Sequence, residues 1–295
     1  MADVPSPAPQ APPAPAATPP FIRYEARSAQ GQAALAAYAK GVAVMKGRPP
    51  QSQTSWSYQA GMHGSLVRPF LVLWNGCKHL SWYFVVWHRM YVYFFEQIVR
   101  EAIRQAGGPA DWALPYWDYE LDTAHASIPE QFRKPTENGA PNPLYVQQRA
   151  PGINDGAPLP PAVTTSRFAL ARPNFVGATE FGGGISLPTP QFWKEPGALE
   201  QTPHNAVHGA VGGSGGWMND PFRAAQDPIF WLHHSQIDRL WSRWISEGHT
   251  DTNDPRWTQQ LFDFFNVGGQ LASKLSINVL DTVVDLGYEF DRLKP

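Results

Sequence analysis

The chain has 295 residues, which is enough for one large domain or two small ones. Its formal net charge is −2 and its lysines and arginines are few and dispersed, which argues against a nucleic-acid partner. No apolar run reaches the roughly 18 residues of a transmembrane helix, which argues against a membrane protein. The single cysteine, Cys77, excludes an internal disulfide.

Residues 1–20 are predicted to be a disordered tail rich in proline and alanine, because eight of the twenty are proline. They lack the basic and apolar regions of an intact signal peptide. A remnant left after removal of a leader is the alternative, so a cytoplasmic and a secreted location for a soluble protein both stay open. Residues 21–295 are expected to form one domain.

Helical periodicity of apolar residues appears in five segments in chain order: 31–47, 55–64, 83–106, 203–211 and 228–247. Gly107-Gly108 ends the third of these, and Pro228 is a usual first residue for the fifth. Residues 120–200 are dense in proline, glycine and asparagine, and a stretch of that kind usually carries functional loops. Residues 277–290 predict one or two strands. The expected fold is mainly α, with a four-helix-bundle core, long loops and a few short strands.

Histidines in the second half of the chain have metal-ligand spacing. His204 and His208 are four residues apart in the predicted helix 203–211, so they lie about 40° apart on one helical face. Asn205 stands where a zinc protease of the HExxH type has its general base, and an amide cannot fill that role. The pair therefore predicts two ligands of one ion.

A third ligand is expected from the adjacent pair His233 and His234. Neighbours on a helix point about 100° apart, so one of them faces the site and the other faces elsewhere or donates to a ligand. Asp238 lies four residues after His234 and could brace its imidazole, so His234 is the predicted ligand.

The first half of the chain offers a second triplet: His63, His79 and His88. His79 and His88 are nine residues apart and would lie on opposite faces of one straight helix. His79 is therefore expected on a loop before the helix that carries His88, and His63 on its own short helix.

Two all-histidine sites point to copper among the metals that imidazole binds. Di-iron bundles use a Glu-x-x-His pattern that these helices lack, and paired all-histidine zinc sites are uncommon. Neutral ligands suit a pair of ions that cycle between Cu(I) and Cu(II) and bind dioxygen. The predicted bundle would then hold a dicopper centre.

Five segments in order resemble the tyrosinase and polyphenol oxidase family of type 3 copper proteins: YQAGMHG, HLSWYFVVWHRMYVYFFE, DWALPYWDYE, LEQTPHNAVHGAVGG and DPIFWLHHSQIDRLW. The resemblance covers nearly all of 55–295. It implies two copper ions, with His63, His79 and His88 on copper A and His204, His208 and His234 on copper B. It also implies dioxygen as co-substrate and small phenols as substrates, with o-diphenols oxidised to o-quinones and monophenols hydroxylated at the ortho position.

The resemblance extends to residues around the predicted ions. Cys77, two residues before His79, matches the cysteine that forms a thioether with that histidine in fungal members, and the alternative is a free buried thiol. Phe84 resembles the aromatic residue that packs over the site, although ordinary core packing explains it as well. A glutamate is expected to hold a water together with Asn205; Glu200 is favoured and Glu195 is the alternative.

Substrate-positioning residues are expected after the predicted copper-B helix. Gly209 would leave the pocket open, and Met218, Pro221 and Phe222 lie in the loop expected at its entrance. Three other activities stay open: a catechol oxidase, an o-aminophenol oxidase and a haemocyanin-like oxygen carrier. The sequence leaves the oligomeric state open.

Overall fold

The computed structural model of the chain describes residues 21–185 and 195–294, so the tail predicted for residues 1–20 lies outside them. The described helices are α1 (Ala29–Lys46), α2 (Trp56–His63), α3 (Phe84–Gln105), α4 (Pro161–Thr164), α5 (Arg167–Leu170), α6 (Ala206–Gly212), α7 (Ile229–Ser246) and α8 (Pro255–Thr258). All five predicted helices are present, with ends within three residues of those expected. The mainly α fold is confirmed.

The strands are short and form three pairs. β1 (Phe21–Arg23) pairs in parallel with β6 (Tyr288–Phe290). β2 (Thr136–Glu137) and β3 (Ala140–Pro141) form a small hairpin, and β4 (Leu261–Phe265) and β5 (Leu271–Leu275) form a longer one. The segment predicted as one or two strands contains β6, but it begins with a helical turn at Ser276–Val279. The β4–β5 hairpin was not predicted.

Local sequence fixes the starts of the first two helices. The hydroxyl of Ser28 accepts a hydrogen bond from the Gly31 N–H at the start of α1, and Ser55 does the same for Tyr58 in α2. The next long helix, α3, packs against both α1 and α7. Both α3 and α7 are buried over most of their length, so they form the centre of the core. No helix in the described ranges is both long enough and apolar enough to cross a membrane.

A buried ionic network joins the two ends of the described chain to α3 and α7. Asp238 of α7 accepts hydrogen bonds from Arg23 of β1 (2.8 Å), Arg89 of α3 (2.6 Å) and the hydroxyl of Tyr288 in β6. The predicted contact between Asp238 and His234 is therefore wrong. Both carboxylate oxygens are already bound to cationic or hydroxyl donors that lie far away in the sequence.

The loop-rich stretch 120–200 is also held by buried polar contacts where it is described. The guanidinium of Arg149 binds both carboxylate oxygens of Asp227, at 2.8 and 2.6 Å, and donates to the carbonyl of Phe132. Both charged side chains are fully buried. Because Asp227 lies just before α7, this pair fixes the loops against the start of that helix.

Candidate metal centre

The first predicted histidine triplet converges in space. His63 is the last residue of α2, His88 lies in α3, and His79 is on the irregular segment before α3, as expected. Their ring centroids are 5.0–5.8 Å apart. The Cys77 sulfur and one nitrogen from each histidine all lie within 4.8 Å of one another.

The second predicted triplet also converges. His208 lies in α6 and His234 in α7, whereas His204 lies on an irregular helical turn (Glu200–Asn205) that is interrupted where Thr202 is extended. The ring centroids of the three histidines are 4.6–5.6 Å apart. The backbone is helical at Asn205 and Ala206, between the two histidines, so His204 and His208, four residues apart, face the same point.

The two triplets face each other. The rings of His88 and His234 stack at 4.4 Å with an interplanar angle of 13°, and those of His79 and His204 are 5.5 Å apart. The histidines therefore form one centre with two neighbouring groups, positioned mainly by the packing of α3 against α7.

Backbone carbonyls orient three of the six rings. Nδ1 of His63 lies 3.0 Å from the Pro221 oxygen, Nδ1 of His88 2.8 Å from the Phe84 oxygen, and Nδ1 of His208 2.6 Å from the Met218 oxygen. A carbonyl only accepts hydrogen bonds, so each Nδ1 carries the proton and each Nε2 presents a lone pair. This arrangement is typical of metal-ligating histidines.

Asn205 orients a fourth ring. Its Oδ1 lies 2.8 Å from Nδ1 of His204, so the amide oxygen accepts the imidazole proton and Nε2 of His204 faces the centre with its lone pair. The sequence placed Asn205 beside a water, and this direct contact with His204 was not foreseen.

Several imidazole nitrogens lack partners in a way that fits bound metal ions. Nε2 of His63 and Nε2 of His204 are buried without a hydrogen-bond partner among the described residues, and Nε2 of His208 faces Nε2 of His234 at 3.4 Å. Buried lone pairs without a partner are costly. Burial lowers the pKa of all six histidines, to about 4 for His79 and His208, so the rings are neutral at pH 7 as ligands must be.

His233, which the sequence assigned to another environment, also belongs to the second group. It is fully buried, and one of its ring nitrogens lies within 4.8 Å of a nitrogen of His204, His208 and His234. Its ring centroid is 5.4 Å from that of His204 and 5.7 Å from that of Tyr119. His234 differs from it in stacking on His88, which places His234 between the two groups.

A cavity of about 290 Å³ opens over the histidines. Of the residues expected around the site, Glu200, Asn205, Met218 and Pro221 line it, and Leu80, Asn219 and Ala224 line it without having been predicted. The last three come from loops whose path the sequence pattern does not specify.

Gly209, predicted to leave the pocket open, and Phe222, predicted at its entrance, are not among the residues that line the cavity. Phe222 is 42% exposed and directly follows Pro221, so its part in positioning substrate at the entrance stays a prediction. A Cβ at Gly209 would be 3.8 Å from the side-chain oxygen of Asn219, an ordinary contact distance. That glycine at this position leaves the pocket open stays a prediction.

Glu200 and Glu195, the alternatives for the water-holding carboxylate, lie in different places. The Glu200 carboxylate is buried in the cavity wall and accepts the Leu80 N–H at 2.7 and 3.0 Å. Burial raises the pKa of Glu200 to about 8, against the opposing effect of the Leu80 N–H. Glu195 is not among the residues that line the cavity. The geometry therefore favours Glu200 over Glu195 as the candidate for the water-holding carboxylate.

Cys77 lies against the ring of His79. Its sulfur is 3.4 Å from Nδ1 and 4.0 Å from Nε2 of that ring, the two nitrogens that flank the Cε1 carbon. The same sulfur is 3.3 Å from Nε2 of His88.

Phe84 packs against both histidine groups. Its buried ring is 5.6 Å from that of His79, 4.7 Å from that of His88 and 4.5 Å from that of His204, centroid to centroid. The ring restricts the rotamers of ligands that come from three different segments.

Comparison with known proteins identifies the family. The model of the common central domain of tyrosinase matches residues 53–177 and 174–247, which is more than half of the chain. The chain belongs to the tyrosinase family. This family uses two copper ions, and the neutral imidazoles of the two histidine groups fit that pair.

Individual tyrosinase-family relatives align over most of the chain. Tyrosinase HcTyr1 of Hahella sp. (strain CCB-MM4) is 36% identical over 290 residues, covering 87% of this chain and 60% of the relative. Aureusidin synthase of Antirrhinum majus is 27% identical over 291 residues, covering 87% and 49%. The structure of latent apple tyrosinase superposes with a TM-score of 0.74 at 26% identity, covering 94% of this chain and 64% of that one. The chain thus spans about half to two thirds of these relatives.

Proposed function

We propose that this chain uses dioxygen to oxidise o-diphenols to o-quinones and to hydroxylate monophenols at the ortho position. Each o-diphenol loses two electrons and two protons, and dioxygen is reduced to water. The observation that carries the proposal is the pair of facing histidine groups below an open cavity with Glu200 in its wall. Relatives named tyrosinase and polyphenol oxidase support it.

The proposed ligands are His63, His79 and His88 for copper A, and His204, His208 and His234 for copper B. When bound, the copper pair supplies the electron-transfer and dioxygen chemistry that no side chain of the protein can provide. The protein holds the rings in place from outside, through the carbonyl contacts at Nδ1 and through Phe84.

Glu200 is the proposed proton acceptor. A phenol has a pKa near 10, so it needs a base to lose its proton near neutral pH. Burial raises the pKa of Glu200 to about 8, so its ionised carboxylate is a stronger base than an exposed one, and only this ionised form can accept the proton. In this proposal Glu200, fixed by the Leu80 N–H, and Asn205, fixed by His204, hold a water that carries the proton from the phenol to the carboxylate.

Met218 and Pro221 are the proposed walls of the substrate pocket. Both line the cavity, and the backbone carbonyl of each also orients a proposed ligand, His208 and His63 respectively. A side-chain substitution at either position would change the pocket wall and retain the carbonyl that orients the ligand.

A thioether between the Cys77 sulfur and the neighbouring ring carbon of His79 is part of the proposal. Its formation removes one hydrogen from the thiol and one from the ring, and dioxygen accepts the two electrons. The bond would fix a ligand that lies on a loop. Mass spectrometry of copper-loaded protein should show the loss of two hydrogens and no alkylation of Cys77 after denaturation. Complete alkylation would refute the bond.

The function is tested by oxygen uptake of copper-loaded protein with catechol, tyramine and o-aminophenol. We expect oxidation of catechol and tyramine, and loss of copper and activity in His88→Ala. His249→Ala is the matched control, because His249 stacks on Trp244 and belongs to neither histidine group.

Three results would contradict the proposal in different ways. Turnover of catechol or o-aminophenol but never of tyramine would show an oxidase without hydroxylase activity. Reversible oxygen binding without turnover of any phenol would show a carrier. A fully active, fully copper-loaded His88→Ala variant would refute the copper-A assignment.

A further inference from the structure

Asn219 presents a fixed acceptor at the mouth of the cavity. It lies at the end of the helical turn Trp217–Asn219, is exposed and lines the cavity. Its Nδ2 donates to the carbonyl of Gly213 at 2.9 Å. Since a carbonyl only accepts, this bond assigns the amide orientation and leaves Oδ1 as the free end. Among the described residues, Oδ1 accepts no hydrogen bond.

Gly212 of α6 allows this turn to lie directly against the helix. A Cβ on Gly212 would lie 2.2 Å from the backbone nitrogen of Asn219, so only glycine allows the turn to approach so closely. A Cβ on Gly209, directly after His208, would lie 3.8 Å from Oδ1 of Asn219. The acceptor is thus held next to the part of α6 that carries a proposed copper ligand.

The described lining of the cavity offers no cationic partner to an anionic group. Glu200 is the one carboxylate among the described residues that line the cavity, and they include no lysine or arginine. Asp220 follows Asn219 directly, and the nearby Arg223 is paired with it at 3.5 Å. A substrate carboxylate would find no free cation in this lining.

We infer that Asn219 determines specificity by accepting a hydrogen bond from a protonated amine on the side chain of a phenolic substrate. This rests on the proposed function, because a phenol whose hydroxyl lies at the histidines directs its para substituent toward the mouth. The preferred class is para-substituted phenols that carry an amine. Phenols with a carboxylate in that position are disfavoured.

The test compares tyramine, 3-(4-hydroxyphenyl)propionate and p-cresol, which differ only in the para substituent. In the wild-type protein KM should be lowest for tyramine. Asn219→Leu keeps the size of the side chain and removes the acceptor, so KM for tyramine should rise about five- to tenfold, as expected for one hydrogen bond to a charged group that is partly screened by water. KM for p-cresol should change less than about twofold.

Asn253→Leu is the matched control, since Asn253 is exposed and does not line the cavity; all three KM values should stay the same. An unchanged KM for tyramine in Asn219→Leu, or an equal rise for all three phenols, would overturn the inference. Dissociation constants of the copper-loaded proteins, measured by calorimetry, should follow the same order. These dissociation constants test the role of Asn219 without turnover. If the wild-type chain turned over no phenol, that result would refute the proposed function and leave the binding test of Asn219 valid.

Discussion

Replacing Asp238 by asparagine distinguishes a carboxylate that stabilises the fold from one that braces the ring of His234. Arg23 and Arg89 are both buried, and each donates to it. Asparagine keeps the size of the side chain but leaves two buried guanidiniums with one carboxylate partner fewer. Removing one partner of a buried ion pair costs about 3–5 kcal/mol. At about 2–4 °C per kcal/mol for a large domain, the melting temperature of Asp238→Asn should fall by roughly 6–20 °C.

The same substitution should leave copper binding intact at low temperature, because the Asp238 carboxylate contacts no histidine. A carboxylate that braced His234 would behave differently: losing such a contact typically lowers metal affinity about 10–100-fold. The assay is therefore scanning calorimetry of the metal-free protein, together with the copper content per chain of loaded protein at low temperature, about 4 °C. Asp155→Asn, at an exposed position, is the control. A melting temperature within about 2 °C of the wild type, or a loss of one copper per chain, would refute the reasoning.

Three further predictions test the site. Phe84→Ala removes a buried ring between the histidine groups and should cost about 3–5 kcal/mol in the free energy of unfolding, measured by urea denaturation, with a matching loss of copper. Gly212→Ala forces the turn at Asn219 away from α6 and should abolish the preference for tyramine over p-cresol, whereas Gly209→Ala should retain it. Glu200 has its pKa raised to about 8, so in metal-free protein the folded state holds this proton more tightly than the unfolded state. The buried histidines contribute equally to both proteins, so the stability of the wild type relative to Glu200→Gln should fall as the pH rises from 5 to 8; a pH-independent difference in urea denaturation would contradict this.

Apolar periodicity located the five helices because each buries one face or nearly all of its surface in the core. Histidine spacing then located both groups, since the i,i+4 pair and the off-helix position of His79 follow from helix geometry alone. The β4–β5 hairpin was missed although Gly268-Gly269 offered a turn signal between two apolar segments.

The partners of Asp238 and the lining of the cavity were beyond sequence reasoning for a physical reason. Arg23 lies 215 residues from Asp238 in the chain, and nothing local reports that pairing. Leu80 and Asn219 reach the cavity through loop conformations that depend on tertiary contacts: the left-handed backbone of Leu80 and the close approach of Asn219 to Gly212. The conformations of such loops depend on the surrounding fold, and the periodicity of apolar residues does not encode them.

The stacking of His88 on His234 has a mechanical consequence. These residues lie within α3 and α7, the two helices whose packing forms the centre of the core, and close-packed interiors transmit strain because they compress little. The spacing of the two histidine groups is therefore set by the stiffness of the core rather than by the loops around the cavity. A methyl group added or removed between these helices, far from any substrate, would change that spacing and with it the magnetic coupling between two bound metal ions.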